Sequence, residues 1–410
     1  MSGFVEHLTA RHQALRYVAE ALGFPWELPS ERKRLVDARG RAVCGDIIAP
    51  ESIPAFDRSL RDGYAVRSVD VRGASPSSPA FLSVKGEVPM GKLPNFSGTA
   101  GSAAALFTGG AVPEGYDTVI MAEDTSRMED LLEVRCAGAP GDFLVKSGED
   151  VACGDTLLRR GEMIDARTAL SLAALGITEL EVSRVRVGIL STGDEIVAAE
   201  TPSLLPGCVR DANASFLTLL FQELGCHVTV YGIVSDVPEI LQERFLQAQS
   251  ENDVVLLSGG SSVSTRDLCV DLLRTLPAPG LLVRGVNIAP GKPTLIAGSR
   301  EPGRLVVGLP GHPLSCAVVA RMVVVPLVHL LRGGENSGAD RQVLVRAGSD
   351  VIGKMGVEEF FPGEIRGGTV WPILAKSGYV RGLQRCGGLI RLPENRETVR
   401  GGEEVEVCLW

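Results

Sequence analysis

The chain contains few aromatic residues, few histidines and no closely spaced pair of cysteines. Aromatic residues make up 5% of its 410 residues, and only five residues are histidine. None of the nine cysteines forms a Cys-x-x-Cys pair, so the sequence favours neither a disulfide framework nor a zinc site. This odd, scattered set indicates reduced thiols and predicts a cytoplasmic protein.

Positive charge and long hydrophobic runs are also limited. Lys and Arg number 41 against 50 Asp and Glu, a net charge of −9. The chain as a whole therefore repels nucleic acid and anionic membranes, and any anion must be held by a local site. The first residues carry charges and lack the apolar core of a signal peptide. The longest apolar stretch, 313–331, contains Arg321 and Pro326 and predicts a buried helix rather than a membrane span.

The pattern of the sequence changes along the chain and predicts a multidomain α/β protein. Helical spacing is predicted before residue 40, including a second helix that begins at Ser30. Residues 47–144 are typical of an inserted β-rich domain, flanked by a helical and β-type linking domain made of 1–46 and 145–182. Strands and helices alternate over 183–332, which indicates a doubly wound, mostly parallel sheet, and 333–410 predicts a small β-domain.

Ligands of such a sheet bind beyond the carboxyl ends of its strands. The predicted strands 187–190, 227–234, 254–257 and 305–309 lead into the segments 191–195, 235–236, 258–267 and 310–313. The segment SGGSSVSTRD at 258–267 has the glycines and hydroxyls of a phosphate cradle, although it lacks the GxxxxGK[ST] spacing. The alternative is a turn whose glycines serve geometry alone.

Charged residues recur at the same strand ends. Asp194, Glu195, Asp236 and Asp267 would be hard oxygen ligands for Mg²⁺ if they converge, whereas an isolated surface carboxylate is usually only solvated. Lys292 is a candidate partner for a phosphate, or a solvated lysine. We expect Asp211 to cap the next helix.

His312 and the cysteines complete the set of reactive side chains. His312 is either an acid, base or anion donor near neutral pH, or a turn residue satisfied by the backbone. The cysteines show no pattern of a catalytic thiol.

Seven motifs occur in an order that resembles the MoeA-like molybdopterin molybdenumtransferases, the family that includes the E domain of gephyrin. They are 62–66 (DGYAV), 108–119 (TGGAVPEGYDTV), 147–150 (SGED), 191–195 (STGDE), 258–260 (SGG), 290–293 (PGKP) and 308–313 (GLPGHP). The resemblance covers nearly the whole chain. It implies an enzyme that takes adenylylated molybdopterin and molybdate, or tungstate, and with Mg²⁺ releases AMP while inserting the metal into the pterin dithiolene.

The resemblance also implies an assembly and a set of site residues. It implies an elongated linking domain and a homodimer whose active site lies between the sheet domain of one subunit and the β-rich domain of the other. Transient contacts with the molybdopterin adenylyltransferase and with recipient molybdoenzymes follow from it. The implied catalytic residues are Asp62, Thr108, Asp150, Glu195, Asp236 and Asp267, of which Glu195, Asp236 and Asp267 would hold the metal. The implied substrate-binding residues are Ser258, Gly259, Gly260, Ser261, Ser262, Lys292, Pro310, Gly311, His312 and Pro313.

The sequence departs from this family at several motif positions. Ala289 stands where a lysine is usual, 259–264 reads GGSSVS in place of GGVSVG, and His312 replaces an asparagine. Losing the cation removes a charge-assisted contact typically worth about 1.5–3 kcal/mol, and Arg61 and Arg266 are candidates to replace it. The alternative function is therefore a weakened paralogue that binds molybdopterin or its adenylate as a carrier or scaffold. A sheet domain acting on another nucleotide is disfavoured by the motifs at 62–66 and 108–119.

Overall fold

The chain folds into two compact units. The computed structural model describes residues 8–259, 263–334 and 342–410, with 263–267 described by their backbone alone. The large unit comprises residues 1–45, 159–170 and 178–410, and the small unit comprises 46–158 and 171–177. The chain passes between the two units several times, and one of these boundaries, between residues 170 and 171, lies inside helix Ala166–Ala174.

A six-stranded sheet forms the centre of the large unit. Its strands lie in the order His227–Val234, Arg186–Thr192, Val254–Gly259, Arg304–Leu309, Leu295–Ser299 and Pro279–Arg284. The first four are parallel, which confirms the predicted doubly wound α/β sheet. The last two are antiparallel and were not predicted, because each is a short run between turn residues.

Both faces of this sheet are buried. Ile189 and Leu256 pack in the hydrophobic core on one face, whereas the adjacent Leu190 and Leu257 pack in the core on the other. Such continuous apolar strands are typical of parallel sheets covered on both sides. The helices of this region are Ala212–Glu223, Pro238–Glu251, Val263–Arg274, Pro313–Val319 and Val325–Arg332, the last two joined by a π-helical turn over Ala320–Val324.

The predicted apolar helix is a core helix. Among the described residues, Pro313–Arg332 is the one helix long and apolar enough to span a membrane, and 89% of its most apolar window is buried inside the protein. Its residues belong to the larger hydrophobic core.

The N-terminal segment contains one helix, not two. Helix Arg11–Leu22 ends at Gly23, which adopts the left-handed conformation. The second helix predicted from Ser30 is wrong, because Ser30–Arg34 is a strand followed by a 3₁₀ turn, Leu35–Asp37. This strand pairs antiparallel with Glu179–Ser183, and Arg32 forms an ion pair with Glu179 at 2.6 Å. Pairing with a distant segment outweighs local helix propensity here.

The C-terminal strands close into a barrel. Glu358–Arg366, Thr369–Pro372, Gln342–Ala347, Glu404–Leu409 and Gly388–Leu392 pair in that order, and the last pairs back with the first. Ile288–Ala289 adds to this sheet beside Glu358–Arg366, and Val351–Ile352 pairs separately with Thr398–Val399. Arg381–Gln384 forms a short helix. The β-rich character predicted for this part of the sequence is confirmed.

The small unit is built on a mixed six-stranded sheet. Its order is Thr118–Met121, Gly63–Val66, Ser102–Leu106, Ala80–Glu87, Leu131–Val134 and Thr125–Met128, with only Ala80–Glu87 and Ser102–Leu106 parallel. Short strands pair outside it, Arg58–Ser59 with Leu144–Val145 and Ile47–Ile48 with Thr156–Leu158. Single 3₁₀ turns lie at Ser68–Val71 and Ala122–Asp124. One hydrophobic core covers each face of the sheet.

Candidate functional site

At the carboxyl ends of two neighbouring parallel strands in the large unit, a glycine permits a close backbone contact. Thr192 pairs with Gly259 at the ends of their strands. Gly259 has φ of +133°, and a Cβ added to it would lie 1.9 Å from the Thr192 carbonyl oxygen. Only glycine tolerates this backbone contact. Gly259 therefore sets the geometry of the edge where ligands of such sheets bind.

Oxygen atoms of two neighbouring strand ends meet at this edge. The Thr192 hydroxyl donates to Asp236 Oδ1 at 2.8 Å, and the Asp236 backbone N–H donates to Asp194 Oδ1 at 3.2 Å. Asp194 and Glu195 are exposed, and the Glu195 carboxylate lies against Gly193, where a Cβ would be 2.9 Å from Glu195 Oε2. The predicted carboxylates at 194, 195 and 236 thus follow adjacent strands, and the Asp194 carboxylate accepts one hydrogen bond from the backbone of Asp236.

A cleft opens beside these groups. Its lining combines strand ends, a buried thiol and the turn after strand Arg304–Leu309: Thr192, Leu257, Gly259, Cys269, Pro293, Leu295, Gly308, Leu309, Pro310, Gly311 and His312. Burial, followed by the negative charge of Asp236, raises the pKa of the Cys269 thiol to about 11. The thiol is therefore protonated near neutral pH and is a poor nucleophile.

Asn213 joins two of the loops at the cleft. Its side-chain Nδ2 donates to Ser258 Oγ and to the Gly311 carbonyl oxygen, both at 2.9 Å. Asn213 lies in the first turn of helix Ala212–Glu223, which Asp211 caps by accepting from the Ala214 N–H at 3.0 Å, as predicted. One buried amide therefore fixes the end of strand Val254–Gly259 relative to the turn 310–313.

The other predicted binding residues differ in how exposed they are. Ser258 is 3% exposed, so its hydroxyl serves Asn213 inside the protein. Pro310 is buried, Pro313 begins its helix, and Lys292 and His312 are exposed. The Leu314 N–H donates to the Ser377 carbonyl oxygen at 3.0 Å, and a Cβ on Gly378 would lie 3.5 Å from His312 Cδ2. The segment between strands Thr369–Pro372 and Gly388–Leu392 therefore contacts His312 and the start of the helix that follows the turn.

Part of the predicted site lies outside the described residues. Gly260, Ser261 and Ser262 are not among the residues that the structure describes, and Asp267 is described by its backbone alone. Among the side chains that the structure does describe, no group of three or more His, Cys, Asp or Glu is placed to hold a metal ion. The predicted set of Glu195, Asp236 and Asp267 thus stays a prediction.

In the small unit, Asp62 and Thr108 form a hydrogen-bonded pair. The backbone N–H and the hydroxyl of Thr108 both donate to Asp62 Oδ1, at 2.7 and 2.8 Å. The backbone hydrogen bond, then that of the hydroxyl, lowers the pKa of Asp62 below its ordinary value. A Cβ on the next residue, Gly63, would lie 2.0 Å from the Ile120 carbonyl oxygen, so glycine allows the strand to begin there. Asp150 is exposed, and its backbone N–H donates to the Ile53 carbonyl oxygen at 3.1 Å.

The sequence did not single out Thr192, Pro293 and Cys269, which line the cleft, or Asn213, which holds two segments beside it. Thr192 and Pro293 stood inside quoted motifs without a role of their own. Asn213 carried one signal, since it is a polar residue two positions after a helix cap and between two alanines. Cys269 carried none, because an isolated cysteine in an apolar helix is typical of a core.

Three family models match successive parts of the chain. A model described as "MoeA N-terminal region (domain I and II)" matches residues 9–176, and one described as "Probable molybdopterin binding domain" matches residues 188–330. A third, "MoeA C-terminal region (domain IV)", matches residues 345–410.

Curated relatives and solved structures agree with these matches. The molybdopterin molybdenumtransferase of Synechococcus elongatus is 35% identical over 77% of this chain and 78% of its own length, and that of Haemophilus influenzae is 35% identical over 78% and 77%. The crystal structure of a molybdopterin biosynthesis MoeA protein from Pyrococcus horikoshii has a TM-score of 0.82 at 29% identity and covers 98% of this chain and 100% of that one. The chain therefore belongs to the MoeA family of molybdopterin molybdenumtransferases, enzymes of molybdenum cofactor biosynthesis, as its motifs indicated.

Proposed function

We propose that this chain inserts molybdate into adenylylated molybdopterin in a Mg²⁺-dependent reaction that releases AMP. The observation that carries the proposal is the junction of Thr192, Asp194 and Asp236 beside the cleft of the large unit. Cleaving a phosphoanhydride requires groups that position the phosphate and offset its developing negative charge. Carboxylate oxygens that can hold Mg²⁺, next to a glycine-lined cleft, would supply them, the cation offsetting the charge and the backbone positioning the phosphate.

The cleft residues bind and orient the adenylate in this proposal. Gly259 and Gly311 present backbone without a side chain, which suits close approach of a phosphate. Lys292 is exposed and supplies positive charge. His312 lines the cleft, where its ring N–H can donate a hydrogen bond to a bound anion.

The oxygen donors of the strand ends fit Mg²⁺. This ion is usually bound by one or two carboxylates together with substrate phosphates and water. Asp236, oriented by the Thr192 hydroxyl, and Glu195 would hold it, with Asp267 as a further ligand. When bound, Mg²⁺ supplies charge neutralisation at the phosphates.

We further propose that Asp62, Thr108 and Asp150 take part in this reaction. Support comes from the double hydrogen bond that keeps Asp62 ionised and oriented. We also propose a homodimer, which the family resemblance implies, and a cytoplasmic location, which the scattered reduced cysteines indicate. The proposed domain boundaries are residues 46, 144, 182 and 332, where the pattern of the sequence changes. The protein would make transient contacts with the molybdopterin adenylyltransferase and with recipient molybdoenzymes. Light scattering of the purified protein tests the dimer, because a monomer at micromolar concentration would contradict it.

The experiment measures AMP release from adenylyl-molybdopterin with and without Mg²⁺ and molybdate, and with tungstate in place of molybdate. Asp236→Asn should lower kcat about a hundredfold, the usual scale for losing one electrostatic group of an active site. Asp271→Asn is the matched control, since Asp271 is exposed and pairs only with Arg274 among the described residues. Wild-type turnover by Asp236→Asn would refute the assignment of this residue.

The same assay distinguishes the enzyme from the alternative function, a paralogue that binds molybdopterin or its adenylate as a carrier or scaffold. Ala289 favours that alternative, because it lies half-buried on the strand paired with Glu358–Arg366 and brings no cation to the PGKP turn. Tight binding of the adenylate without AMP release would identify a carrier. Release that depends on molybdate would show that the chain does not need a lysine at this position.

A further inference from the structure

A short segment of the small unit lies between two loops that carry predicted site residues. Its strand Arg58–Ser59 pairs antiparallel with Leu144–Val145. The Ser59 N–H also donates to the Gly110 carbonyl oxygen at 3.0 Å. The segment therefore connects the loop of 108–112 with the strand that precedes the SGED motif.

Asp57, the residue before this strand, holds the start of the SGED motif with its carboxylate. Its Oδ1 accepts from the Ser147 N–H at 2.8 Å, and its Oδ2 accepts from the Lys146 ammonium at 2.9 Å. The backbone carbonyl oxygen of Asp57 accepts from the Val112 N–H, also at 2.8 Å. One residue therefore contacts both loops, and each of its carboxylate oxygens has a donor.

Asp150 is attached to the residues just before Asp57. The Asp150 N–H donates to the Ile53 carbonyl oxygen at 3.1 Å, and the Gly148 N–H donates to the Pro54 carbonyl oxygen at 3.0 Å. These are neutral backbone bonds, whereas the bonds to the Asp57 carboxylate are charge-assisted and roughly twice as strong. Among the described contacts, the Asp57 carboxylate is therefore the strongest attachment of the loop that carries Asp150.

Asp57 is ionised in this arrangement. Burial alone would raise its pKa, but the Lys146 ammonium and then the Ser147 N–H lower the pKa of Asp57 below its ordinary value. Buried and partly buried polar groups are stable when their hydrogen bonds are satisfied within the protein. An ionised carboxylate with a donor on each oxygen is suited to hold a loop rather than to act on a substrate.

We propose that Asp57 is a positioning residue whose carboxylate fixes Asp150 relative to Thr108 during the reaction. The inference rests on the proposed function, in which both Asp150 and Thr108 take part. A misplacement of a reacting group by about 1 Å can cost a hundredfold in rate, so a residue that touches no substrate can control kcat. Loss of the Asp57 charge should therefore lower kcat and leave KM unchanged.

The first measurement is hydrogen–deuterium exchange of the whole protein, which needs no substrate. Asp57→Asn replaces a charged acceptor with a neutral one, so the amides of 146–151 should exchange about tenfold faster, the difference between the two kinds of hydrogen bond. Asp70→Asn is the matched control, because Asp70 Oδ2 likewise accepts from a distant backbone N–H, that of Gly101 at 2.8 Å, and lies 3.9 Å from Arg67 Nε. This control should speed exchange near Gly101 and leave 146–151 unchanged.

The second measurement is AMP release by the same variants. Asp57→Asn should lower kcat about tenfold with little change in KM, whereas Asp70→Asn should keep both at the wild-type value. In an Asp150→Asn background, where single-turnover reactions detect the residual rate, Asp57→Asn should cost less than about twofold, because a positioning residue has no effect once the group that it positions is gone. Melting curves confirm that each variant is folded. Lys146→Met, which removes only the contact with Oδ2, replaces Asp57→Asn if that variant does not fold.

Several outcomes would overturn the proposal. They are equal kinetic losses in Asp57→Asn and Asp70→Asn, an undiminished effect of Asp57→Asn in the Asp150→Asn background, and unchanged exchange at 146–151. A rise in KM with kcat unchanged would also overturn it, since Asp57 would then act in substrate binding. Failure of the proposed function looks different, because the wild-type protein would release no AMP while exchange at 146–151 would still depend on Asp57.

Discussion

Replacing Asn213 with alanine tests whether the cleft depends on a single buried amide. The change removes two hydrogen bonds of 2.9 Å and leaves Ser258 Oγ and the Gly311 carbonyl oxygen without their donor. Each such bond contributes about 0.5–1.5 kcal/mol net, so we expect a loss of about 2 kcal/mol. For a domain of this size, this loss of stability corresponds to a fall in Tm of roughly 4–8 °C. Because both acceptors belong to loops that flank the cleft, kcat/KM for AMP release should fall about 10–100-fold.

Asn252→Ala provides a matched control for this variant. Asn252 is 1% exposed, and its Nδ2 also donates twice, to Tyr231 Oη at 2.7 Å and to the Ala248 carbonyl oxygen at 2.8 Å. It lies before strand Val254–Gly259, at the opposite end from the cleft. Calorimetry should show a similar loss of stability in both variants, with AMP release impaired only in Asn213→Ala. Equal kinetic losses in both, or wild-type kinetics in Asn213→Ala, would refute the reasoning.

Three further predictions concern ionisable groups. Thr108→Val removes one of the hydrogen bonds that lower the pKa of Asp62, so this pKa should rise toward its ordinary value in a carboxyl-carbon NMR titration, and an unchanged pKa would contradict the pairing. Because its pKa is raised to about 11, the Cys269 thiol should resist iodoacetamide in the native protein at neutral pH, and mass spectrometry showing rapid alkylation there would disprove its burial. Burial, then the charges of Arg332 and Arg321, lowers the pKa of His329 from 6.5 to about 4, so the native state favours the neutral ring. Stability should therefore fall as the pH drops from 6.5 toward 4, and His329→Gln should remove that part of the decline in urea midpoints.

The sheet of the large unit could be predicted because its signal is local. A run such as Val254–Leu257 is apolar at every position, and the loop after it is rich in glycine and serine, so both the strand and its carboxyl end are visible in the sequence. The motifs then identified the family. The strand Ser30–Arg34 lacked such a signal, because its five polar residues become a strand only through pairing with Glu179–Ser183.

What the sequence determined by itself is therefore the alternation of helices with the four parallel strands of the large sheet, the identity of the loops and the residue types at the strand ends. The tertiary structure alone decided which of these residues meet. It joined Thr192 to Asp236 and Asn213 to both Ser258 and Gly311. The physical reason is range: periodicity and turn chemistry act over a few residues, whereas a hydrogen bond between residues 213 and 311 exists only once the chain has folded.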